Sequence, residues 1–285
     1  MPANLARSAA LLLALLTSIL ATASSVPPAP VVHWQPLQRG VELAIIPMAA
    51  AGGSGSLYVV RVDPRRAHLQ VALASEAGAG SRTAGEWCQR AGLSVAINLG
   101  MFKTDQKSNV GYLRHGKHLN NGKWNAYRSV LAARPKDPSL PALVWRDLDQ
   151  TNVTADLSGY EIVVQNLRLI AGKGKNVWSQ NGKRWSEAAV AADSNGHLLF
   201  LFSRAPYSMR DFNGLLLKLP LNVTQAMHVE GGPEASLSIH TASVNLDLCG
   251  SYETGFRQDD TNRDQWPIPN VLGVAREGAP AAQVH

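Results

Sequence analysis

The sequence predicts an α+β fold, with mixed, largely antiparallel sheet or sheets, a few short packing helices and a single domain. Three observations carry this reading. Short apolar runs bounded by glycine, proline, asparagine or serine recur along the chain, the mark of strands and hairpins. Only two segments open on a helix-capping signal. The 285 residues, 45% hydrophobic and 17% charged, suffice for one buried core and lie outside the disordered class.

The elements follow in order. Arg7, an apolar run over residues 9–20 and the small-x-small triplet Ala21-Thr22-Ala23 read as an export signal over residues 1–23. The run is about a dozen residues, short of the roughly 20 that cross a bilayer. The expectation is an exported protein, periplasmic or secreted, with no stable transmembrane anchor after cleavage. Proline-rich residues 24–40 form an extended leader, residues 41–276 the domain and residues 277–285 a flexible tail. "VELAII", "SLYVVRVD" and "AHLQVALAS" are strands. Thr83 followed by Glu86 is a capping box, so a short helix runs through Trp87 and Cys88 and stops at Gly92. The strand "LSVAI" follows and ends at Asn98 and Gly100. "VGYLRHGKHL" is a hairpin bent at His115-Gly116, and "ALVWRDL" and "YEIVVQNLRLI" are strands. "AAVAADSNGHLLFLFS" is a hairpin whose Asn195-Gly196 favours a tight primed turn. Ser208 and Asp211 open a second helix, with Phe212, Leu215, Leu216 and Leu219 on its apolar face and Pro220 at its end. "AMHV" then runs into Glu230.

Charge is uneven. The net is +6 with a pI near 9.5. Between residues 103 and 136 stand eight lysines and arginines against Asp105 alone; Arg168, Lys173, Lys175, Lys183 and Arg184 follow without an acid between them. Such stretches are either a solvated face or an anion-binding surface. Export and the lack of interleaved aromatics exclude nucleic acid as partner. Cys88 and Cys249 are a candidate disulfide, the alternative being two separate buried thiols. His115 and His118 have metal-like spacing without a third ligand, and "AGKGKN" lacks the spacing of a phosphate loop, so neither a metal nor a cofactor is expected.

Both helix-then-strand units end in a polar side chain beside glycine, Asn98 with Gly100 and Glu230 with Gly231. These residues either meet in one pocket beyond the strand ends or serve locally as an Asx-turn and a cap. Five ordered blocks, Asn98-Leu99-Gly100-Met101-Phe102, Val110-Gly111-Tyr112-Leu113, Gln165-Asn166-Leu167-Arg168-Leu169, Arg184 with the strand-turn-strand after it, and Glu230-Gly231-Gly232-Pro233-Glu234-Ala235-Ser236-Leu237, resemble the phosphodiester glycosidase domain family. The chain departs from that family's pattern at Leu99, in the Gln165 block, and at Glu230, Pro233 and Ala235.

The resemblance implies a hydrolase that cleaves a sugar-1-phosphate diester, in cell-envelope or exopolysaccharide material given the export signal. The alternative is a non-catalytic binder of anionic glycans. Its partner is an anionic sugar-phosphate or polysaccharide. Glu230 and Glu234 are the expected catalytic carboxylates, with Glu187 and Asp105 in reserve. His228, two residues before Glu230 and so on the same strand face, is either a proton shuttle or a structural histidine. Arg184 with Lys103 or Arg168 suits the phosphate. Asn98, Gly100, Gly231, Gly232 and Ser236 complete the expected substrate side.

Overall fold

The computed structural model describes residues 31–78, 80–149 and 157–278. The export signal expected over residues 1–23 lies outside them. The leader expected over residues 24–40 ends in an edge strand, β1 (Gln35–Gln38), paired with β2 (Val41–Pro47). Then come β3 (Ser56–Val62), β4 (Leu69–Leu73), helix α1 (Ala84–Arg90) and β5 (Leu93–Asn98). The hairpin β6 (Leu113–His115) and β7 (His118–Asn121) is followed by β8 (Ser129–Pro135), β9 (Leu143–Asp147), the long β10 (Tyr160–Ala171) and the short β11 (Lys175–Asn176). The hairpin β12 (Trp185–Asp193) and β13 (Leu198–Tyr207) leads into helix α2 (Met209–Lys218). The chain closes with β14 (Val223–Gly231), β15 (Ser236–His240), β16 (Asn245–Cys249) and β17 (Asn270–Ala275).

The strands form two sheets. The larger runs β1-β2-β3-β13-β12-β14-β10-β6-β7, with β8 and β11 also on β10 and β9 on β8; the smaller runs β16-β15-β5-β17-β4. Their ladders are antiparallel. The main core lies between the sheets, where Val60, Val190, Phe200, Phe202, Met227 and Val229 of the large sheet meet Val95, Ile97, Leu237 and Leu272 of the small one. On its other face the large sheet packs Val59, Ala189, Leu199 and Leu201 against Phe212, Leu215 and Leu216 of α2. On its outer face the small sheet packs Leu93, Ala96 and Val271 against Trp87 and Cys88 of α1. The order of layers is therefore α2, large sheet, small sheet, α1. A strand buried on both faces has no polar face to alternate with, which is why runs such as "LLFLF" read as continuously apolar.

Both helix caps form as their residue types require. The Thr83 Oγ1 accepts from the Glu86 N–H at 3.1 Å and Glu86 accepts the Thr83 N–H at 2.9 Å. In α2 the Ser208 Oγ accepts from the Asp211 N–H at 3.1 Å, but Asp211 takes the Ser208 hydroxyl at 2.8 Å instead of a backbone N–H. The expected primed turn at Asn195-Gly196 is not what the chain adopts. Only Gly196 has positive φ, +82°. Asp193 instead accepts from the N–H groups of Asn195 and His197 at 2.8 and 2.9 Å, making the turn around an aspartate cap.

The disulfide expectation is overturned. Cys88 and Cys249 are both free and buried. Cys88 packs in the outer cluster with Trp87, where burial, with the Asp247 charge in the same direction, pushes its thiol up to about 12. Cys249, at the end of β16, has its sulfur 3.5 Å from the Arg204 guanidinium of the large sheet. Each thiol is taken up by its own surroundings.

Candidate active site

The centre of the site is β14, which lies between β12 and β10. Met227 and Val229 point into the inter-sheet core and Ala226 packs on the α2 side. Strand alternation therefore sends His228 to the α2 side as well, and Glu230 follows after one extra residue, Val229, relative to the partner strand. A bulge between Ala188 and Ala189, opposite Glu230 and His228, shifts the register with β12. Bulges of this kind re-aim side chains next to functional sites. Here Trp185 and Glu187 of β12 end up beside His228. Glu187 Oε1 sits 2.6 Å from His228 Nδ1, and Trp185 Nε1 donates to Glu187 Oε2 at 2.7 Å. Both Glu187 and His228 are buried.

After Gly231 the chain crosses from the large sheet to the small one through a single turn of 3-10 helix, Gly232–Glu234. Gly232 is left-handed, φ +65°, and a Cβ there would lie 2.5 Å from Glu253 Oε2. The crossing is braced by Asn98 at the end of β5. Its amide donates to the Glu234 carbonyl at 3.0 Å and accepts from the Ser236 N–H at 2.8 Å. The Ser236 hydroxyl donates to the same carbonyl at 3.1 Å. Asn98 is thus tied to the segment that follows Glu230 without lining the pocket itself, and the shared pocket expected for the two residues is not formed, since β5 and β14 belong to different sheets.

Met101, Phe102, Val110, Leu167, Trp185, Met209, His228, Glu230, Gly231, Glu234 and Glu253 enclose a pocket of about 400 Å³. Its titratable side chains are three carboxyls and one imidazole. Burial pushes the Glu230 carboxyl up to about 8; the Glu234 and Glu253 charges push the same way, against His228 and the Gly231 N–H. Burial also raises Glu234, and the Glu253 charge adds to it. Glu253 is raised by burial and partly restored by His228 and Lys183. For His228 burial favours the neutral ring, but the Glu187 carboxylate, helped by Glu230 and Glu253, outweighs it, and the net pKa is raised. The pocket therefore holds a histidine whose charged form is favoured by the Glu187 behind it, and a Glu230 carboxyl whose affinity for its proton is raised, beside two further carboxyls. Tyr127 stands near enough for the Glu230 charge to add to the rise that burial gives its phenol.

Other expected residues lie elsewhere. Arg184 lines a separate cavity and donates to the Pro206 carbonyl at 2.8 and 3.2 Å. Arg168 holds Asp147 and Asp149 at 2.5 and 2.6 Å. Lys103 is exposed on the loop after β5, outside the pocket wall. Gly100 sits against the Asn166 and Asn109 side chains, with no room for a Cβ, and supports that loop from behind. Asp105, held in reserve as a catalytic acid, caps a turn by accepting from the N–H groups of Lys107 and Ser108. Glu187, the other reserve, supports His228. Glu253 is the site residue that sequence reasoning missed. Its one local signal is an acid in the Gly-bounded stretch "GSYETG", whose approach to β12 depends on the Ser186 Oγ accepting the Ser251 and Tyr252 N–H groups at 3.0 and 3.2 Å.

The sequence pattern of one protein family, Phosphodiester glycosidase, matches residues 91–275, well over half of the chain. The chain belongs to the phosphodiester glycosidase family. The matched region runs from the end of α1 to β17, so it contains every residue that lines the pocket. Among solved structures, the zebrafish N-acetylglucosamine-1-phosphodiester alpha-N-acetylglucosaminidase catalytic domain, described as auto-inhibited by its pro-peptide, is similar with a TM-score of 0.58 and 17% identity, over 88% of this chain and 86% of that one. A hypothetical protein from Synechocystis is similar with a TM-score of 0.57 and 14% identity, over 87% of this chain and 64% of that one. At these identities the likeness is one of fold. No curated protein sequence matches the chain. Among the described residues no cluster of three or more histidine, cysteine, aspartate or glutamate side chains is arranged to hold a metal ion, and no helix is long and apolar enough to cross a membrane.

Proposed function

We propose that this chain is an exported hydrolase that cleaves the bond between a sugar's anomeric carbon and phosphate in a phosphodiester-linked glycan of the cell envelope or an exopolysaccharide. The observation that carries the reading is the pocket that gathers Glu230, Glu234 and Glu253 around the His228–Glu187 pair, within a chain of this family. The leader sequence supports export.

A phosphodiester brings a negative charge into a pocket lined by acids. The protonated Glu230 meets it as a hydrogen-bond donor without like-charge repulsion, and His228, whose charged form Glu187 favours, is the one basic side chain in the lining. These two groups take the task the sequence assigned to guanidinium groups. As the C1–O bond breaks, Glu230 gives its proton to the departing phosphate oxygen. Positive charge then develops on the sugar ring, where a neighbouring carboxylate stabilises it. Of the two remaining acids, Glu253 has its anion favoured by both His228 and Lys183, and it is assigned to take a proton from the attacking water. The products are the free sugar and a phosphate monoester. Glu187 acts through His228 as a positioning residue.

Purified protein incubated with a sugar-1-phosphate diester is expected to release free sugar, with a rate that falls as pH rises past about 8. Glu230→Gln is expected to lower kcat roughly 10²-fold or more, the usual scale for a general acid. Absence of sugar release, or a Glu230→Gln variant as active as the parent, overturns the reading. Glycan binding without turnover that Glu230→Gln leaves unaltered supports the binder alternative instead.

A further inference from the structure

The Arg184 expected at the phosphate lines a second cavity, of about 750 Å³, together with Arg210, Lys218, Asn176, Gln180 and Asp211. Its charge is opposite to that of the acidic pocket. Asp211 is the one acid in its wall, and it is already occupied with the Ser208 hydroxyl at 2.8 Å and the Gln180 amide at 3.1 Å. Arg184 is pinned to the Pro206 carbonyl, and Lys218 reaches the Ala51 carbonyl at 3.5 Å. No salt bridge within 4 Å involves Arg184, Arg210 or Lys218 among the described residues. Three cations around a cavity of ligand size, uncompensated save for Asp211, favour an anion there.

The two cavities share a wall. Arg184 lines the cationic one and its neighbour Trp185 the acidic one; Arg210 lines the cationic one and its neighbour Met209 the acidic one. The start of β12 and the first turn of α2 thus form the partition, and both cavities lie on the α2 side of the large sheet. The two cavities are thus separated only by residues adjacent in sequence.

We propose that the cationic cavity binds a second anionic group, the next phosphate of the same glycan, so that the substrate is an oligomer with repeated phosphodiester linkages. This rests on the proposed hydrolase reading. The acid of the wall, Asp211, is held by Ser208 and Gln180, and its phenol, Tyr207, is bonded to the Ser54 backbone, so the part assigned to the cavity is affinity and selection of long over short substrates.

The test compares a sugar-1-phosphate diester bearing one linkage with an oligomer of several. Arg184→Gln/Arg210→Gln removes two exposed charges while keeping the Ser208 cap. It is expected to lower the ratio of kcat/KM for the oligomer over the single-linkage substrate about tenfold, mainly through KM, and to weaken the salt dependence of that ratio. An unchanged ratio overturns the proposal. Calorimetric binding of the oligomer to the Glu230→Gln protein, with and without the two arginine substitutions, reads the cavity independently of turnover. Loss of affinity on removing the arginines supports the cavity even if neither substrate is cleaved, which would sink only the hydrolase reading. Equal affinity with and without the arginines sinks the cavity. Inorganic phosphate that competes as well as the oligomer, at equal phosphate concentration, identifies a free-anion site and also overturns the polymer assignment.

Discussion

Glu230 keeps its proton because the chain encloses its carboxyl beside two other acids, and that has a consequence for stability as well as for chemistry. In the unfolded chain a glutamate ionises near 4.5, whereas in the folded protein Glu230 does so at about 8. Between these values the folded state holds a proton that the unfolded state has lost. The stability that the protonated group shares in is complete below the lower value and is lost as pH rises through the upper one, by on the order of 1 kcal/mol per pH unit. Glu230→Gln, which needs no proton, is therefore expected to match the parent in thermal stability near pH 4 and to exceed it at pH 8. Melting curves at the two values check this, and a gain of equal size at both would contradict the shift. At this scale strand periodicity made the shared face of His228 and Glu230 readable. The partner Glu187 was visible only as a reserve acid, because its meeting with the imidazole depends on the pairing of β12 with β14, which joins residues 41 positions apart.

The element that positions the acids is the crossover from β14 to β15, and Asn98 is its brace. Asn98→Ala leaves the Ser236 N–H without an acceptor in a buried place and takes a donor from the Glu234 carbonyl. Loss of about 1–3 kcal/mol of unfolding free energy is expected, the cost of an unsatisfied buried polar group. Chemical denaturation measures it, and a loss below about 0.5 kcal/mol would mean that the brace is not needed. The helices were legible because caps are local: Thr83 with Glu86 and Ser208 with Asp211 each satisfy donors within one turn. The hairpins at Gly116 and Gly196 were legible for the same reason. Strands β8, β15, β16 and β17 went unread. In β16 the residues Asn245, Leu246, Asp247 and Leu248 depend on pairing with β15 for their place, and β17 owes its central position to β4 and β5, both remote in sequence. The expectation that Asn98 and Glu230 face one pocket from neighbouring strands of one sheet does not hold: Asn98 lies outside the pocket lining and braces the crossover through Glu234 and Ser236, and its strand belongs to the other sheet.

Across the whole molecule the pocket sits where the large sheet hands the chain to the small one, and the two free thiols belong to different layers. Reductant is expected to leave the melting temperature unchanged, and a thiol reagent to modify Cys88 only after denaturation; a drop in melting temperature under reducing conditions would point to a bridge. The sequence by itself determined the fold class, the two helices, most of the strands and hairpins in β2 to β14, the family, and the acid-and-glycine segment at the centre of the site, since each of these is written in residues close together along the chain. Only the tertiary structure decided that Glu253 joins the pocket, that Glu187 supports His228, that the one basic side chain in the pocket is a histidine, and that Arg184 belongs to a neighbouring cationic cavity. The reason is physical: charge and proton affinity at a site depend on which groups are brought within a few ångströms and removed from water, and residues tens to hundreds of positions apart meet there only once both sheets have packed.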